Sequence, residues 1–288
     1  MFDLKGLKVF NEIKAALGTG MIRVTGCVPS QMEHMIWQLG DGFDAKVIIT
    51  FDEPKAMDIL SSYKAFDDNG VYYPAKDPVF DKADIRGTYL SEQRLEITKR
   101  LFDKENLTVI TTLDAFSEEL SSFREISKDL ITIKTGDTVN LEELAKRLVE
   151  LGYENESQVG AHGEFSLRGN IIDIFPYTQD APFRIDLWGD EVEKIKMFDV
   201  ESQRSIETVE EFTVFPGGEK GHSATFFDYF PENTLYIFDE PAKVFDQFLF
   251  DEALPEEFKK RTCLLFSMLD TACEELPEDE KFFVKTRN

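Results

Sequence analysis

Strand and helix patterns alternate over the first ~125 residues, and this alternation constrains the fold more than any other feature of the sequence. Apolar residues at helical spacing predict helices, whereas short apolar runs predict buried strands. In chain order the patterns predict helices over residues 9–17, 30–39, 54–63 and 90–102, and strands over residues 21–24, 46–51, 71–73 and 107–112. Strands separated by helices in this way are typical of a mostly parallel, doubly wound α/β sheet.

The pattern changes near Asp129. A predicted strand over residues 130–134 precedes a helix, for which Asn140 is the expected N-cap and Gly152 the expected end. From residue 163 to residue 215 only strand patterns follow. We therefore expect a separate α+β unit, in which one helix accompanies an antiparallel sheet.

After Gly218 the alternation of strand and helix patterns returns. An apolar strand is predicted over residues 235–238, and a helix follows through residue 248. The tetrapeptide Phe-Asp-Glu-Pro occurs at residues 51–54 and again at residues 238–241, each time where a buried strand precedes a helix. This recurrence indicates that the last segment rejoins the first sheet and that the middle unit is an insertion. The Asp-Glu pairs could bind a metal at the carboxyl edge of the sheet. We favour the simpler interpretation that Asp caps the helix and Pro occupies its first turn.

A loop that starts at Gly26 joins a predicted strand to a helix, where a phosphate-binding loop would lie in such a fold. That loop needs the pattern G-x-x-x-x-G-K-[ST], in which glycines admit the phosphates, lysine neutralises them and the hydroxyl binds Mg²⁺. Here Gln31, Met32 and Glu33 replace the second glycine, the lysine and the hydroxyl residue. We therefore expect a nucleotide-binding architecture without ATP hydrolysis and without catalytic residues.

Charge and composition argue against several other classes of function. The chain has 32 Lys+Arg against 56 Asp+Glu, and the net charge of −24 disfavours broad binding to nucleic acid or to anionic membranes. The three cysteines and three histidines lack metal-ligand spacing, so we expect no disulfide framework, no metal site and no cofactor. No apolar run is long enough to span a membrane and no signal-peptide pattern is present, so we expect a cytoplasmic protein.

Three phrases in the middle unit resemble a known family. They are GEFSLRGNIIDIFP at residues 163–176, PFRIDLWGDEV at residues 182–192 and FDVESQRS at residues 198–205. Together they resemble the UvrB-homology region of the bacterial transcription-repair coupling factors (Mfd). They are also similar to the corresponding part of the excision-repair helicase subunit UvrB. Because UvrB keeps an intact phosphate-binding loop, the degenerate loop at Gly26 favours the coupling factors.

The resemblance implies a degenerate RecA-like domain of the P-loop NTPase-like class, formed by residues 1–127 and 215–288 and split by an inserted α+β domain of residues 128–214. It further implies that the insert binds UvrA, the damage-recognising ATPase, and thereby recruits excision repair to stalled transcription. In the parent protein RNA polymerase and DNA would bind to domains absent from this chain, and no membrane is involved. The alternative is an ATPase or helicase domain of the UvrB type with an atypical nucleotide site.

The candidate partner-binding residues are Arg168, Arg184 and Trp188. Alternation over residues 183–188 places Arg184, Asp186 and Trp188 on one face of a strand, and an even pairing register would bring Arg168 to the same face. Arginine and tryptophan often dominate the energetics of interfaces, and the resemblance assigns UvrA binding to these three residues. The alternative is an ordinary set of cross-strand pairs, in which Asp186 neutralises Arg184 and Trp188 covers the sheet edge. If the arginines bind the partner, we expect them to be exposed and to contribute little to stability.

Two further features receive other interpretations. Arg204, next to Asp199 and Glu201, is expected to form a structural ion pair. Direct binding of DNA to the predicted arginine-bearing face is the least favoured function, because residues 160–205 contain five basic and nine acidic residues.

Overall fold

The computed structural model describes residues 3–18, 20–76, 85–218, 223–246 and 253–284. In chain order the strands are β1 (Met21–Thr25), β2 (Ala45–Thr50), β3 (Gly70–Tyr73), β4 (Thr108–Thr112), β5 (Ile131–Lys134), β6 (Glu154–Asn155), β7 (Glu164–Arg168), β8 (Ile171–Ile174), β9 (Phe183–Trp188), β10 (Glu191–Phe198), β11 (Ser205–Val209), β12 (Glu211–Val214), β13 (Thr234–Asp239), β14 (Thr262–Ser267) and β15 (Glu280–Phe283). The α-helices are α1 (Lys8–Ala16), α2 (Pro29–Leu39), α3 (Glu53–Tyr63), α4 (Ile85–Phe102), α5 (Leu113–Phe116), α6 (Phe123–Asp129), α7 (Leu141–Glu150), α8 (Pro241–Asp246) and α9 (Ala253–Lys259), and 3₁₀ turns cover Leu4–Gly6 and Phe226–Tyr229.

The described residues divide into two compact units. One is drawn from residues 1–79, 103–119 and 225–288, and the other from residues 80–102 and 120–224. The first contains a parallel sheet and the second contains the antiparallel sheets, so the fold class expected from the sequence is confirmed: a RecA-like α/β fold whose chain is interrupted by an α+β segment.

The parallel unit is built on a seven-stranded sheet in the order β15-β1-β14-β13-β2-β4-β3. Every neighbouring pair in it is parallel. All residues of β1, β2 and β13 are buried, as expected for strands that are covered on both faces. Helix α1 contributes Phe10 and Ile13 to the core on one side of this sheet, which explains the helical spacing of apolar residues near the amino terminus.

The second unit has a six-stranded sheet in the order β11-β10-β9-β8-β7-β6, in which only β6 and β7 run parallel. A separate antiparallel pair joins β5 to β12. Helix α7 begins as predicted, because the Asn140 side chain accepts a hydrogen bond from the Glu143 amide at 3.0 Å. Its Leu144 and Leu148 join Phe165 and Ile185 of the sheet in one buried cluster. One sheet face is therefore the core side, and the other is free to carry polar residues.

The three cysteines, Cys27, Cys263 and Cys273, are buried free thiols. Within the described ranges, no helix combines the length and the apolar character that crossing a bilayer requires.

Tyr177 packs closely against a glycine in the second unit. Its hydroxyl donates a 2.8 Å hydrogen bond to the Gly152 carbonyl, and its ring packs against Tyr153 with 4.9 Å between centroids. A Cβ atom on Gly217 would lie 2.0 Å from the Tyr177 ring, whereas a Cβ on Gly218 would meet nothing within 4 Å. The neighbouring glycines therefore offer a matched pair of substitutions.

We predict that Gly217→Ala lowers the free energy of unfolding by about 2 kcal/mol, because Tyr177 must move and lose its packing. Gly218→Ala should change it by less than about 0.5 kcal/mol. Urea denaturation of both variants, followed by circular dichroism, measures the difference. Equal stabilities would contradict the packing described for Tyr177.

Candidate functional site

The degenerate loop at Gly26 is occupied by the protein's own groups. The amide of Val28 donates to the Gln31 side chain at 3.3 Å, so this donor is already used within the loop. Strand β15 ends beside it: a Cβ on Gly26 would lie 2.6 Å from the Val284 carbonyl oxygen and 3.1 Å from the Phe283 ring. A phosphate-binding loop instead presents free amides and open space to its ligand. This loop offers less of both.

Glu33 makes the loop less suited to an anion. It lies in the second turn of α2 with 2% of its surface exposed. Burial raises the pKa of its carboxyl to about 7, and the nearby Lys55 ammonium opposes that rise. Its Oε2 atom has no hydrogen-bond partner among the described residues. An acidic group near a helix amino terminus disfavours the phosphate that the helix would otherwise attract.

The two Phe-Asp-Glu-Pro motifs have different roles. Asp52 caps α3 by accepting a 2.8 Å hydrogen bond from the Lys55 amide, as predicted. Asp239 is instead the last residue of β13 and accepts a 2.9 Å hydrogen bond from the Thr50 hydroxyl, so the helix-cap prediction is wrong for this copy. Burial raises the pKa of the Asp239 carboxyl above its ordinary value, and the positive charge of Lys55 opposes part of this rise. Glu240 adopts a φ of 54° and accepts a hydrogen bond from the Met268 amide.

A cavity of about 160 Å³ lies between the second motif and the loop. This volume is well below the roughly 300–1,000 Å³ of typical small-molecule sites. Asp239 and Glu240 line it together with Lys55 and Lys243. Among the described residues, no group of three or more His, Cys, Asp or Glu side chains could hold a metal ion. The cavity at the carboxyl edge of the parallel sheet is therefore smaller than a typical small-molecule site.

The outer face of the six-stranded sheet carries the candidate residues. In β9, Phe183, Ile185 and Leu187 are buried and alternate with more exposed residues, so the predicted alternation is confirmed. Arg184, Asp186 and Trp188 therefore share the outer face. Trp188 is 80% exposed and covers little of the sheet.

The register brings Arg168 to the same place. Asp173 of β8 pairs with Ser166 of β7 on one side and with Arg184 of β9 on the other. Arg168 Nη2 donates to Asp173 Oδ2, so the predicted common face of the two arginines is confirmed. We call the surface of Arg168, Arg184 and Trp188 the arginine face.

The centre of the arginine face is Asp173, which the sequence analysis did not single out. Its side chain is fully buried. Arg184 donates to it from Nε at 2.7 Å and from Nη2 at 2.8 Å, which is the two-pronged geometry that makes arginine–carboxylate pairs strong. This bond raises the pKa of Arg184 further. The sequence contained a signal, because Asp173 alternates with the inward-facing Ile172 and Ile174 and must therefore point outward.

The ion pair of the alternative interpretation, Arg184 with Asp186, is not formed, and the ion pair expected for Arg204 is wrong. Arg184 is neutralised by Asp173 and not by Asp186, which pairs with Lys196 at 2.5 Å. Arg204 is exposed, and none of the described carboxylates lies within 4.0 Å of it. Its carbonyl accepts a hydrogen bond from the Asp199 amide at 2.9 Å.

Comparison with known proteins identifies the class of the second unit. Residues 131–219 match the family model of the UvrB interaction domain. The chain is 34% identical over 169 residues to the transcription-repair-coupling factor of Bacillus subtilis (strain 168), covering 59% of this chain and 14% of that protein. It is 31% identical over 210 residues to the coupling factor of Staphylococcus haemolyticus, covering 72% of this chain and 18% of that protein.

A UvrABC system protein B, from Fervidobacterium nodosum, is 28% identical over 188 residues, covering 60% of this chain and 28% of that protein. The chain thus contains a UvrB interaction domain. It has the UvrB-homology region found in transcription-repair coupling factors, which confirms the resemblance seen in the sequence. The matched segments span 14% and 18% of the length of the two coupling factors.

We predict that Arg184→Ala lowers the free energy of unfolding by about 3 kcal/mol, because it removes the fork that neutralises the buried Asp173. The expectation that Arg184 is an exposed arginine is wrong, because 19% of its side chain is exposed, whereas the low cost expected for Arg168 stays a prediction. Arg168→Ala should cost less than about 1 kcal/mol, since its side chain is 48% exposed and makes one bond to Asp173. Urea denaturation of both variants measures the two values, and a stable Arg184→Ala chain would contradict this assignment.

Proposed function

We propose that this chain is the UvrA-recruiting module of a transcription-repair coupling factor, which links stalled transcription to nucleotide-excision repair. The UvrB interaction domain at residues 131–219 supports this proposal, since it contains the whole arginine face. We also propose that the insert comprises residues 128–214 and that residues 1–127 and 215–288 form the split outer domain. In a full-length parent, RNA polymerase and DNA would be bound by other domains, and the protein would act in the cytoplasm as an ATP-dependent DNA translocase.

The arginine face is the observation that carries the proposal. It combines an 80% exposed tryptophan with a half-exposed Arg168 and a partly exposed Arg184. A large exposed aromatic side chain on the same sheet face as arginines is typical of the anchors that dominate protein interfaces. Arginine binds carboxylates through two parallel bonds, so an acidic patch on UvrA is the expected partner surface.

The alternative function is an ATPase or helicase domain of the UvrB type, which the similarity to a UvrABC system protein B favours. The loop at Gly26 argues against it, because Gln31, Met32 and Glu33 supply neither the lysine nor the hydroxyl that phosphoryl transfer uses. The small cavity at the carboxyl edge of the parallel sheet also argues against an ATPase, because it is smaller than a typical small-molecule site. We therefore propose that this chain is not an enzyme.

We predict that UvrA binds this chain and that Arg168→Ala and Trp188→Ala each weaken binding about thirtyfold, as loss of a central anchor does. Arg184→Glu should weaken it more, because a carboxylate would face acidic groups of UvrA, and it should also lower the melting temperature, because Asp173 loses its fork. Titration of UvrA against each variant, with a thermal melt of each, measures both effects. Lys134→Ala, which removes a 58% exposed lysine from β5, is the control and should bind like the wild type. If no variant differs from the wild type, the site lies elsewhere.

We predict that the purified chain neither hydrolyses ATP nor binds it at micromolar concentrations, with or without DNA. Equilibrium titration with a fluorescent ATP analogue and a steady-state hydrolysis assay test this. The opposing result is saturable micromolar binding together with hydrolysis that disappears in Glu240→Gln, and it would favour the ATPase function.

A further inference from the structure

The arrangement of charges on the arginine face points to a role for its buried carboxylate. We propose that Asp173 is a positioning residue that holds Arg184 and Arg168 as a pair, so that both bind a single carboxylate of the partner. This inference rests on the proposed UvrA-binding function and assigns the chemistry within it. The evidence for this inference is the set of hydrogen bonds that the two guanidinium groups make to Asp173.

Two of the three guanidinium nitrogens of Arg184 donate hydrogen bonds to described residues, and the third is available to a partner. Its Nε and Nη2 atoms bond to Asp173 at 2.7 and 2.8 Å, and Nη2 also donates to the Gln203 side chain at 3.1 Å. A guanidinium group has five N–H donors. Nη1 carries two of them, and no described residue accepts from it. The open edge of Arg184 is therefore Nη1.

The ring of Phe198 fixes the plane of this guanidinium. The Arg184 Cζ atom lies 4.4 Å above the ring centroid, and Phe198 is itself buried in a cluster with Val159 and Phe175. Asp173, Gln203 and Phe198 therefore all contact the Arg184 guanidinium. A side chain held in this way loses little further conformational entropy when a partner binds.

Arg168 joins the pair through the same carboxylate. Its Nη2 atom bonds to Asp173 Oδ2, the oxygen that also accepts from Arg184 Nη2. Two guanidinium groups and one carboxylate have a net charge of +1, so one partner carboxylate would neutralise the cluster. Arg168 is 48% exposed, so N–H groups of its guanidinium other than the one bonded to Asp173 are available to a partner. A partner aspartate or glutamate side chain would then accept from both arginines.

A competing role for Asp173, as a group that only reduces the charge of the arginine face, predicts the opposite result. If Asp173 only reduced the positive charge of the face, its neutralisation would strengthen the attraction for an acidic partner. If Asp173 positions the arginines, its neutralisation would weaken binding, because two long side chains must then be ordered at the moment of association. The sign of the change distinguishes the two roles.

The experiment is titration of UvrA against the wild-type chain, Asp173→Asn and Asp186→Asn. Asp173→Asn should weaken binding about tenfold. Asp186→Asn removes the same charge from the same sheet face but releases Lys196 instead of the arginines, so its affinity should stay within threefold of the wild type. Unchanged or tighter binding by Asp173→Asn would overturn the inference. Absence of binding by the wild type would instead overturn the proposed function.

A second substitution keeps the test decisive if Asp173→Asn fails to fold. Arg184→Lys retains a positive charge beside Asp173 but lacks the fork and the Nη1 edge. It should recover most of the stability lost in Arg184→Ala and yet bind UvrA within threefold of the affinity of Arg184→Ala. A structural role alone would restore binding together with stability, and wild-type affinity of Arg184→Lys would refute the positioning role.

Discussion

The buried carboxylate of Asp173 is the interaction on which the arginine face depends. A carboxylate cannot be transferred from water into a protein interior without compensation, and in practice it must be paired and hydrogen-bonded. Asp173 lies in β8 within the six-stranded sheet, where its position fixes the direction of its side chain. Arg184 and Arg168 therefore have to converge on it from the strands on either side. The pairing of Asp173 thereby brings two guanidinium groups to the same face of the sheet.

The two units use their sheets for opposite purposes. Strands β1, β2 and β13 of the parallel sheet are buried throughout, so their ends are the places available for chemistry. There Gln31 uses the Val28 amide as a donor, and the end of β15 fills space beside Gly26. The six-stranded sheet buries one face against α7 and leaves the other for charged residues. A nucleotide site needs free amides at strand ends, whereas a protein interface needs rigid side chains on an open face. The described residues of this chain supply rigid side chains on an open face, which suits a protein interface better than a nucleotide site.

Much of the fold could be predicted because local patterns agreed with the tertiary structure. The strands around residues 46–51 and 107–112 are apolar runs between helices, and Asn140 caps α7 as expected. The pairing of charges could not be predicted in the same way. Arg184 has Asp186 two residues away in sequence, but in a strand that separation spans nearly 7 Å along one face. Asp173, eleven residues away, is its direct cross-strand neighbour. Alternation identifies which residues share a face, while partners across strands depend on the register, which the long turn between β8 and β9 left open.

The net charge of the whole chain helps to identify the kind of partner that the arginine face can bind. With a net charge of −24, the protein repels polyanions at long range. A cluster with a net charge of +1 in these surroundings cannot hold a DNA backbone, which requires many neutralised phosphates. It can hold one carboxylate at short range, where two fixed guanidinium groups provide directed hydrogen bonds and screening matters less. Acidic surroundings with two fixed arginines and an exposed tryptophan therefore favour recognition of one protein surface through a few contacts, and such a face selects its partner by geometry more than by total charge.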